Sequence, residues 1–315
     1  DGATTLCSNQ AAPYTLFTAL GGAPLAGGTW TSPNGTPHTG NFSVGTDPVG
    51  AYTYTINAPA PCTSVSSEVT MSVVQAANAG AGGNVSFCEN GVVVDPFTLL
   101  GGTPNAGGSW SAPGGGAITN IDPSTAGSGA YTYTITGTAP CPNAQSVMNV
   151  TIDVLPDAGM STSIQLCANA PSLALLPLLG TTPGGNWTGP SGPASGTFIP
   201  GTTIPGIYTS TLNGTGACSA EQDQASVQVG IDPLPLPSFV VVEGSGCAPL
   251  QVQVINDDPA GTQSALWSFG NGGNSIDPAE AWNTYTTAGS FDITLEVTDA
   301  NGCVGSMTMA DAVLV

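Results

Sequence analysis

Cys, Trp and Cys recur in that order four times along this chain, and the repeat constrains the fold more than any other feature. Cys7, Cys88 and Cys167 are spaced by 81 and 79 residues, and Cys62, Cys141 and Cys218 keep step with them. So do Trp30, Trp110 and Trp187. Around the first two tryptophans the text is nearly duplicated: Leu20-Gly21-Gly22-Ala23-Pro24-Leu25-Ala26-Gly27-Gly28-Thr29-Trp30 against Leu100-Gly101-Gly102-Thr103-Pro104-Asn105-Ala106-Gly107-Gly108-Ser109-Trp110. A shorter third copy runs Leu179-Gly180-Thr181-Thr182-Pro183-Gly184-Gly185-Asn186-Trp187. Each repeat then carries a Tyr-Thr stretch, Tyr52 to Ile56, Tyr131 to Ile135 and Tyr208 to Leu212. The last 79 residues are a divergent fourth copy, in which Cys247, Trp267 and Cys303 keep the order. Asn78-Ala79-Gly80 and Asp157-Ala158-Gly159 open the second and third repeats, and Asp1-Gly2 reads as the same opening. Alternate prolines in Asp232-Pro233-Leu234-Pro235-Leu236-Pro237 make a semi-rigid joint before the fourth. The expected repeats are therefore residues 1–77, 78–156, 157–236 and 237–315.

Within each repeat the local signals are β. Tyr52, Tyr54 and Ile56 alternate with Thr53 and Thr55, and Phe291, Ile293, Leu295 and Val297 alternate in the same way, as do Val252 and Val254. Gly, Pro and Asn clusters interrupt these runs at short intervals, and six of the 14 aspartates stand before proline in turns. No stretch shows a capped 3.6-residue period of helical length. Short strands with turns between them read as β-sandwiches. The expected fold is all-β, a tandem array of four immunoglobulin-like sandwiches. Strands of about 20–30 Å per module make a rod on the order of 100 Å or more. Trp30, Trp110, Trp187 and Trp267 are expected between the sheets of their modules, in the core and not at a sugar-stacking surface.

The charges remove whole classes of function. The chain has no Lys or Arg, one His and 20 acidic residues, a formal charge of −20. Nucleic-acid binding requires cations on phosphates, and attraction to anionic lipid requires a polybasic patch. Phosphoryl transfer without a Lys or Arg clamp is equally disfavoured. Trypsin-like proteases have no site, and isopeptide staples have no lysine. The longest apolar run, Leu173 to Leu179, is broken by Pro177 and too short to insert in a bilayer. With no basic or apolar leader after Asp1, the chain reads as mature or as a piece of something longer.

Eight cysteines fall two per repeat, 55, 53, 51 and 56 residues apart. None shows CxxC spacing and only His38 could join them, which argues against zinc. Their even count and regular spacing place the chain in an oxidising, secreted or cell-surface setting. The preferred pairing is within each repeat: Cys7–Cys62, Cys88–Cys141, Cys167–Cys218 and Cys247–Cys303. A loop of that size would contribute about 4 kcal/mol in the chain-entropy account, which matters for modules whose cores alone are marginal. One geometric objection stands against it. In an alternating sandwich the first Cys precedes the second strand at one pole, and the second Cys follows the penultimate strand at the other. The alternative pairing thus runs between repeats, as in Cys7–Cys141, and leaves Cys62 and Cys247 for neighbouring chains.

No catalytic constellation emerges. His38 lies in a Thr-Pro-His-Thr turn of one repeat only, and reads as an incidental surface imidazole. Carboxylate pairs could serve a glycosidase, but the acids sit mainly in turns, and small sandwiches imply no cleft. No cofactor is expected, with calcium as the one candidate. Asp153 and Asp157 flank a joint, and Asp257 and Asp258 lie in the fourth repeat, where such ligands stiffen modular proteins. Asn-x-Ser/Thr triplets occur at Asn34, Asn41, Asn84, Asn149, Asn186 and Asn213; many such triplets arise by chance in so Ser-, Thr- and Asn-rich a chain, and they leave glycosylation open without arguing for it.

The fourth repeat resembles the PKD domain. Leu266-Trp267-Ser268-Phe269-Gly270-Asn271-Gly272 is similar to that family's W-D-F-G-D-G turn, and Tyr285 through Cys303 to its closing hairpin and final strands. Both acidic positions of the turn are replaced, by Ser268 and Asn271, which removes the carboxylates a metal role there would need. The first three repeats resemble the G-G-x-W…Y-T-Y-T…C immunoglobulin-like repeats of very large surface adhesins of gliding, Bacteroidota-type bacteria, exported by the type IX system. That resemblance implies a surface adhesion or filament role and identifies no ligand; the sorting domain of such exported proteins is not evident. The expected partners are the chain itself, by head-to-tail or lateral assembly, or surface glycans and proteins. The alternative is a carbohydrate-binding accessory region of a secreted enzyme.

Overall fold

The computed structural model describes residues 1–181 and 184–315; Thr182 and Pro183 of the third tryptophan motif lie outside the described residues. The fold is all-β, a tandem array of immunoglobulin-like sandwiches with four separate hydrophobic cores. Helix is confined, among the described residues, to single turns such as Leu16–Ala19, Pro96–Leu99 and Leu176–Leu179.

In the first repeat one sheet runs in the order Gly2–Cys7, Val65–Val74, Gly50–Ile56, Thr29–Thr31 and Pro37–His38. Tyr14–Thr15 pairs with Asn41–Phe42 as a reduced second layer. The opening strand lies parallel to the closing one, with Cys7 opposite Val74. The same parallel pairing sets Cys88 opposite Asp153 and Cys167 opposite Asp232. The fourth repeat has two fuller sheets. Phe239–Val242, Leu250–Asn256 and Glu280–Tyr285 make one, and Asn274–Ser275, Ser264–Ser268, Ser290–Thr298 and Val304–Leu314 the other.

The duplicated motifs have a common physical basis. Tyr52, Tyr131 and Tyr208 are buried and donate their hydroxyls to the carbonyls of Pro48, Gly127 and Ile204, each four residues upstream, at 2.7–2.9 Å. This is the tyrosine corner of immunoglobulin-like sandwiches. The next tyrosine closes the glycine loop: the Tyr54 hydroxyl donates to the Leu25 carbonyl and accepts the Gly28 N–H at 2.7 Å. Tyr133 does the same with Asn105 and Gly108. A Cβ on Gly28 or Gly108 would fall within 2.6 Å of the tyrosine ring, so the second glycine of each motif is required by this approach.

Three of the four tryptophans meet their expected core place: Trp30, Trp110 and Trp267 are buried. Trp187 is only half-buried, against the edge of the third core. The cause is local. Trp30 and Trp110 pack on Tyr54 and Tyr133 with ring centroids 5.0 and 5.2 Å apart, but the third repeat has Ser210 at that position. Ser210 keeps only the polar function, accepting the Gly185 N–H at 3.1 Å.

The Tyr52 phenol is pushed up to about 12, first by burial and then by the negative charge of Asp47. A neutral phenol is thus part of the folded first repeat. Its contribution is present below the ordinary tyrosine value near 10 and is lost as pH rises through about 12. The first repeat should therefore weaken between those values in alkaline melts followed by calorimetry. Tyr52→Phe should remove that slope while lowering neutral-pH stability by about 1 kcal/mol, the net worth of one hydrogen bond. An unchanged alkaline slope in the variant would refute the assignment.

The chain divides into two compact units, Asp1–Leu155 with Thr215–Ser219, and Pro156–Gly214 with Ala220–Val315.

Candidate functional site

The cysteines are the chemically distinctive groups, and the structure overturns the within-repeat pairing. Cys7 is bonded to Cys141, Cys88 to Cys218 and Cys167 to Cys303, across sequence separations of 134, 130 and 136. Their Cα–Cα distances of 4.9, 4.7 and 5.4 Å fall in the usual disulfide range. Among the described residues Cys62 and Cys247 are unpaired and exposed.

Strand direction produces this result. Because the opening strand of each of the first three repeats runs parallel to the closing strand, its terminal cysteine reaches the pole where the chain leaves the repeat. The second cysteine lies in the connection between the last two strands, at the pole where the chain enters. Members of one repeat are therefore held a sandwich length apart, and the near neighbour belongs to the next repeat. In the first unit the Cys141 sulfur lies 3.4 Å from the Val74 carbonyl oxygen, beside the Cys7 ladder. The Cys218 sulfur lies 3.2 Å from the Asp153 carbonyl oxygen, beside Cys88. Segment Thr215–Ser219, third-repeat in sequence, is thus gathered into the first unit.

The connecting segments are also packed. Ala79 and Ala158 are buried in the second and third cores. The Asn78 amide and carbonyl exchange hydrogen bonds with Asn105, and Ala158 N–H donates to Asp223 at 2.7 Å. Asp1-Gly2 does not repeat this opening. Ala79 and Ala158 stand nine residues before their cysteines and Gly2 five before Cys7, so Gly2 already belongs to the first strand. The Asp1 carboxylate instead accepts the Glu68 N–H at 2.8 Å.

The acidic candidates are engaged in local hydrogen bonds. Asp153 accepts the Ala217 N–H at 2.7 Å, Asp157 the Gly159 N–H at 2.9 Å, and Asp258 the Gly261 N–H at 3.0 Å, while Asp257 accepts the Ser238 hydroxyl at 2.6 Å. Among the described residues no three of His, Cys, Asp and Glu converge as a metal centre requires. The His38 imidazole faces Asp47 at 3.4 Å and accepts the Gly40 N–H. Asp-Pro turns at Asp47, Asp95, Asp122, Asp258 and Asp277 are held by carboxylates that accept backbone N–H bonds. Asp277 accepts N–H bonds from Ala279 and Glu280, which hold its carboxyl below the usual range. No helix among the described residues is long and apolar enough to cross a membrane.

In the fourth repeat the Trp267 indole donates to the Asp277 carbonyl at 2.9 Å, and Tyr285 donates to the Phe269 carbonyl at 3.0 Å. Asn271, at an acidic position of the family turn, accepts the Gly273 N–H and so caps the turn itself.

A family model described as the PKD domain matches residues 242–315. A curated relative, the pre-pro-metalloprotease PrtV of Vibrio cholerae, is 40% identical over 57 residues, and the chain spans only 6% of that protein's length. The solved PKD1 domain of the same metalloprotease is 34% identical, over 24% of this chain and 91% of the domain, with a TM-score of 0.21. The PKD1 domain of Vibrio anguillarum Epp is 30% identical over 26% of this chain and 95% of its own, with a TM-score of 0.22. The titin I-band fragment I67–I69 is 10% identical over 73% of this chain and 95% of its own, with a TM-score of 0.41.

Proposed function

We propose that this chain, in which a PKD domain at residues 242–315 follows immunoglobulin-like repeats, is a non-catalytic structural and adhesive segment of an extracellular filament or cell-surface protein. Modules of both kinds are typically non-catalytic, and tandem modules with three disulfides suit an adhesive or structural region outside the cell. The observation that carries the reading is that every bridge joins one repeat to the next. A disulfide inside a module stabilises that module alone, whereas one between modules fixes successive modules to each other, which a load-bearing connector needs. The missing Lys and Arg fit the same setting, since trypsin-like proteases find nothing to cut.

Immunogold electron microscopy of intact producing cells tests the reading. Label on extracellular fibres or on the outer surface is expected, and label confined to the cell interior would refute it. Bacteroidota origin and type IX export belong to the same proposal, through the repeat motifs. Calcium has no part in it: melting in calcium and in chelator should coincide, and a rise of several degrees with calcium would return the joint aspartates to a ligand role.

A further inference from the structure

The second repeat, which has another repeat before it and another after it, holds a pocket that joins three aromatic rings to one carboxylate. It measures about 200 Å³ and is lined by Asp95, Phe97, Gly107, Gly108, Trp110 and Tyr133. All six belong to the one repeat.

The Asp-Pro turn sets the carboxylate in place. Asp95 is exposed, has extended backbone, and accepts the Phe97 N–H on Oδ1 at 2.9 Å, with Pro96 opening the helical turn behind it. Its other oxygen accepts no hydrogen bond among the described residues. The same turn brings Phe97 edge to face against Tyr133, with centroids 5.5 Å apart, and Trp110 packs on Tyr133 as well. Glycine backbone forms the remaining wall. Gly107 has a φ of 88°, and a Cβ there would meet nothing within 4 Å, so the space beside it is open.

The other two like repeats lack the full set. The first has Phe17, Trp30 and Tyr54, with Thr15 in the place of Asp95. The third has Ala174, Leu176 and Ser210 for Asp95, Phe97 and Tyr133. There the Leu176 side chain lies 2.9 Å from where a Cβ on Gly184, the counterpart of Gly107, would stand, so leucine fills the space.

Rings beside a carboxylate form a site for a cation on an apolar stem. The rings pack methylenes and attract the charge, and the carboxylate pairs with it. The volume is below the roughly 300 Å³ at which pockets begin to enclose whole ligands, which matches the end of a side chain. With no Lys or Arg among these 315 residues, neither the repeats nor a second copy of them can supply that group. A formal charge of −20 steers basic partners towards the surface. We propose that the second repeat binds a lysine side chain of a basic partner protein, its methylenes against Phe97, Trp110 and Tyr133 and its ammonium on Asp95. Lysine is favoured over arginine because the Phe97 N–H already holds one carboxylate oxygen, and a guanidinium fork uses two. It is favoured over a quaternary ammonium because the free oxygen accepts an N–H, which such a group lacks. The proposal rests on the adhesive reading above and names the group that the segment holds.

The test is a ¹H–¹⁵N NMR titration of the 315-residue chain with the peptide acetyl-Gly-Lys-Gly amide. The backbone N–H signals of Phe97, Gly107 and Gly108 should shift and saturate, while those of Phe17, Gly27 and Gly28 stay in place. The same peptide with norleucine for lysine should produce no saturable shift. Asp95→Asn keeps an oxygen for the Phe97 N–H and should weaken binding about fivefold, as for one exposed ion pair. Asp95→Thr, a turn the first repeat already contains, should do the same, and Phe97→Leu should weaken binding as well. Equal saturation by the norleucine peptide, equal shifts in the first repeat, or unchanged affinity in both Asp95 variants would overturn the proposal. So would saturation by the arginine peptide or by tetramethylammonium where the lysine peptide fails. A failed titration with gold label on the cell surface would remove this site and leave the adhesive reading intact. Label confined to the cell interior would remove that reading whatever the titration shows.

Discussion

A single cut after Glu243 should leave the oxidised chain in one piece, and reduction should then release residues 1–243 and 244–315. Glu243 is exposed, with a φ of 57°, in the stretch between the closing strand of the third repeat and Cys247. The bridge from Cys167 to Cys303 spans it. Indeed every peptide bond between Cys7 and Cys303 lies within the span of at least one bridge, because the three spans overlap. Pairing within repeats would have left residues 63–87, 142–166 and 219–246 outside any loop, and a nick in any of them would part the chain. Limited digestion with a glutamate-specific protease, read by intact mass before and after reduction, separates the two cases. Release of residues 244–315 without reductant would sink the interlaced arrangement. One cleavage between Cys7 and Cys303 therefore does not sever the oxidised chain.

Trp267→Ala should cost the fourth repeat about 3–5 kcal/mol, the range for truncating a large aromatic in a packed core. Trp267 is fully buried, meets Phe239 edge to face with centroids 5.2 Å apart, and donates its indole N–H to the Asp277 carbonyl. The substitution opens a cavity between the two sheets and removes a donor from the turn that Asp277 organises. Trp187→Ala should cost less than half as much, because Trp187 is already half in solvent and has no tyrosine to pack on. Calorimetric melts of both variants, compared with the parent under non-reducing conditions, give the ranking. Equal losses at the two sites would contradict the difference in packing.

The two tryptophans also show how far the sequence could be read. Cys-Trp-Cys periodicity and the alternating Tyr-Thr stretches were enough to specify an all-β tandem array, because each pattern reports a local period and a buried face. The weaker place of Trp187 was visible too, in Ser210 standing where the other repeats have tyrosine. Counting back from Cys7 would have shown that Asp1-Gly2 falls out of register with Asp157-Ala158-Gly159. The cysteine partners were harder to read. Residues 55 apart in one repeat form an ordinary loop, and hydrophobic alternation does not reveal whether the opening strand runs parallel or antiparallel to the closing one. That direction fixes the pole of Cys7: strand alternation already pointed to it through the between-repeat alternative, Cys7–Cys141, and the ladder from Gly2 opposite Val69 to Cys7 opposite Val74 establishes it. The joint aspartates likewise carry the residue type of a calcium site, while their oxygens accept backbone N–H bonds and a serine hydroxyl.

Under tension the overlapping bridges turn a long polypeptide into a short tether. The shortest covalent route through the oxidised chain follows residues 1–7, crosses to 141–167, crosses again to 303–315, and leaves the rest slack. Its contour is about 170 Å, against about 1,100 Å for the same chain reduced, at roughly 3.5 Å per extended residue. Even complete unfolding of every sandwich would yield little length while the bridges hold. Should Cys7–Cys141 break, Cys88–Cys218 takes the load and still caps extension at about half the full contour. A filament built of such chains would stiffen and hold where a string of independently folded modules would pay out.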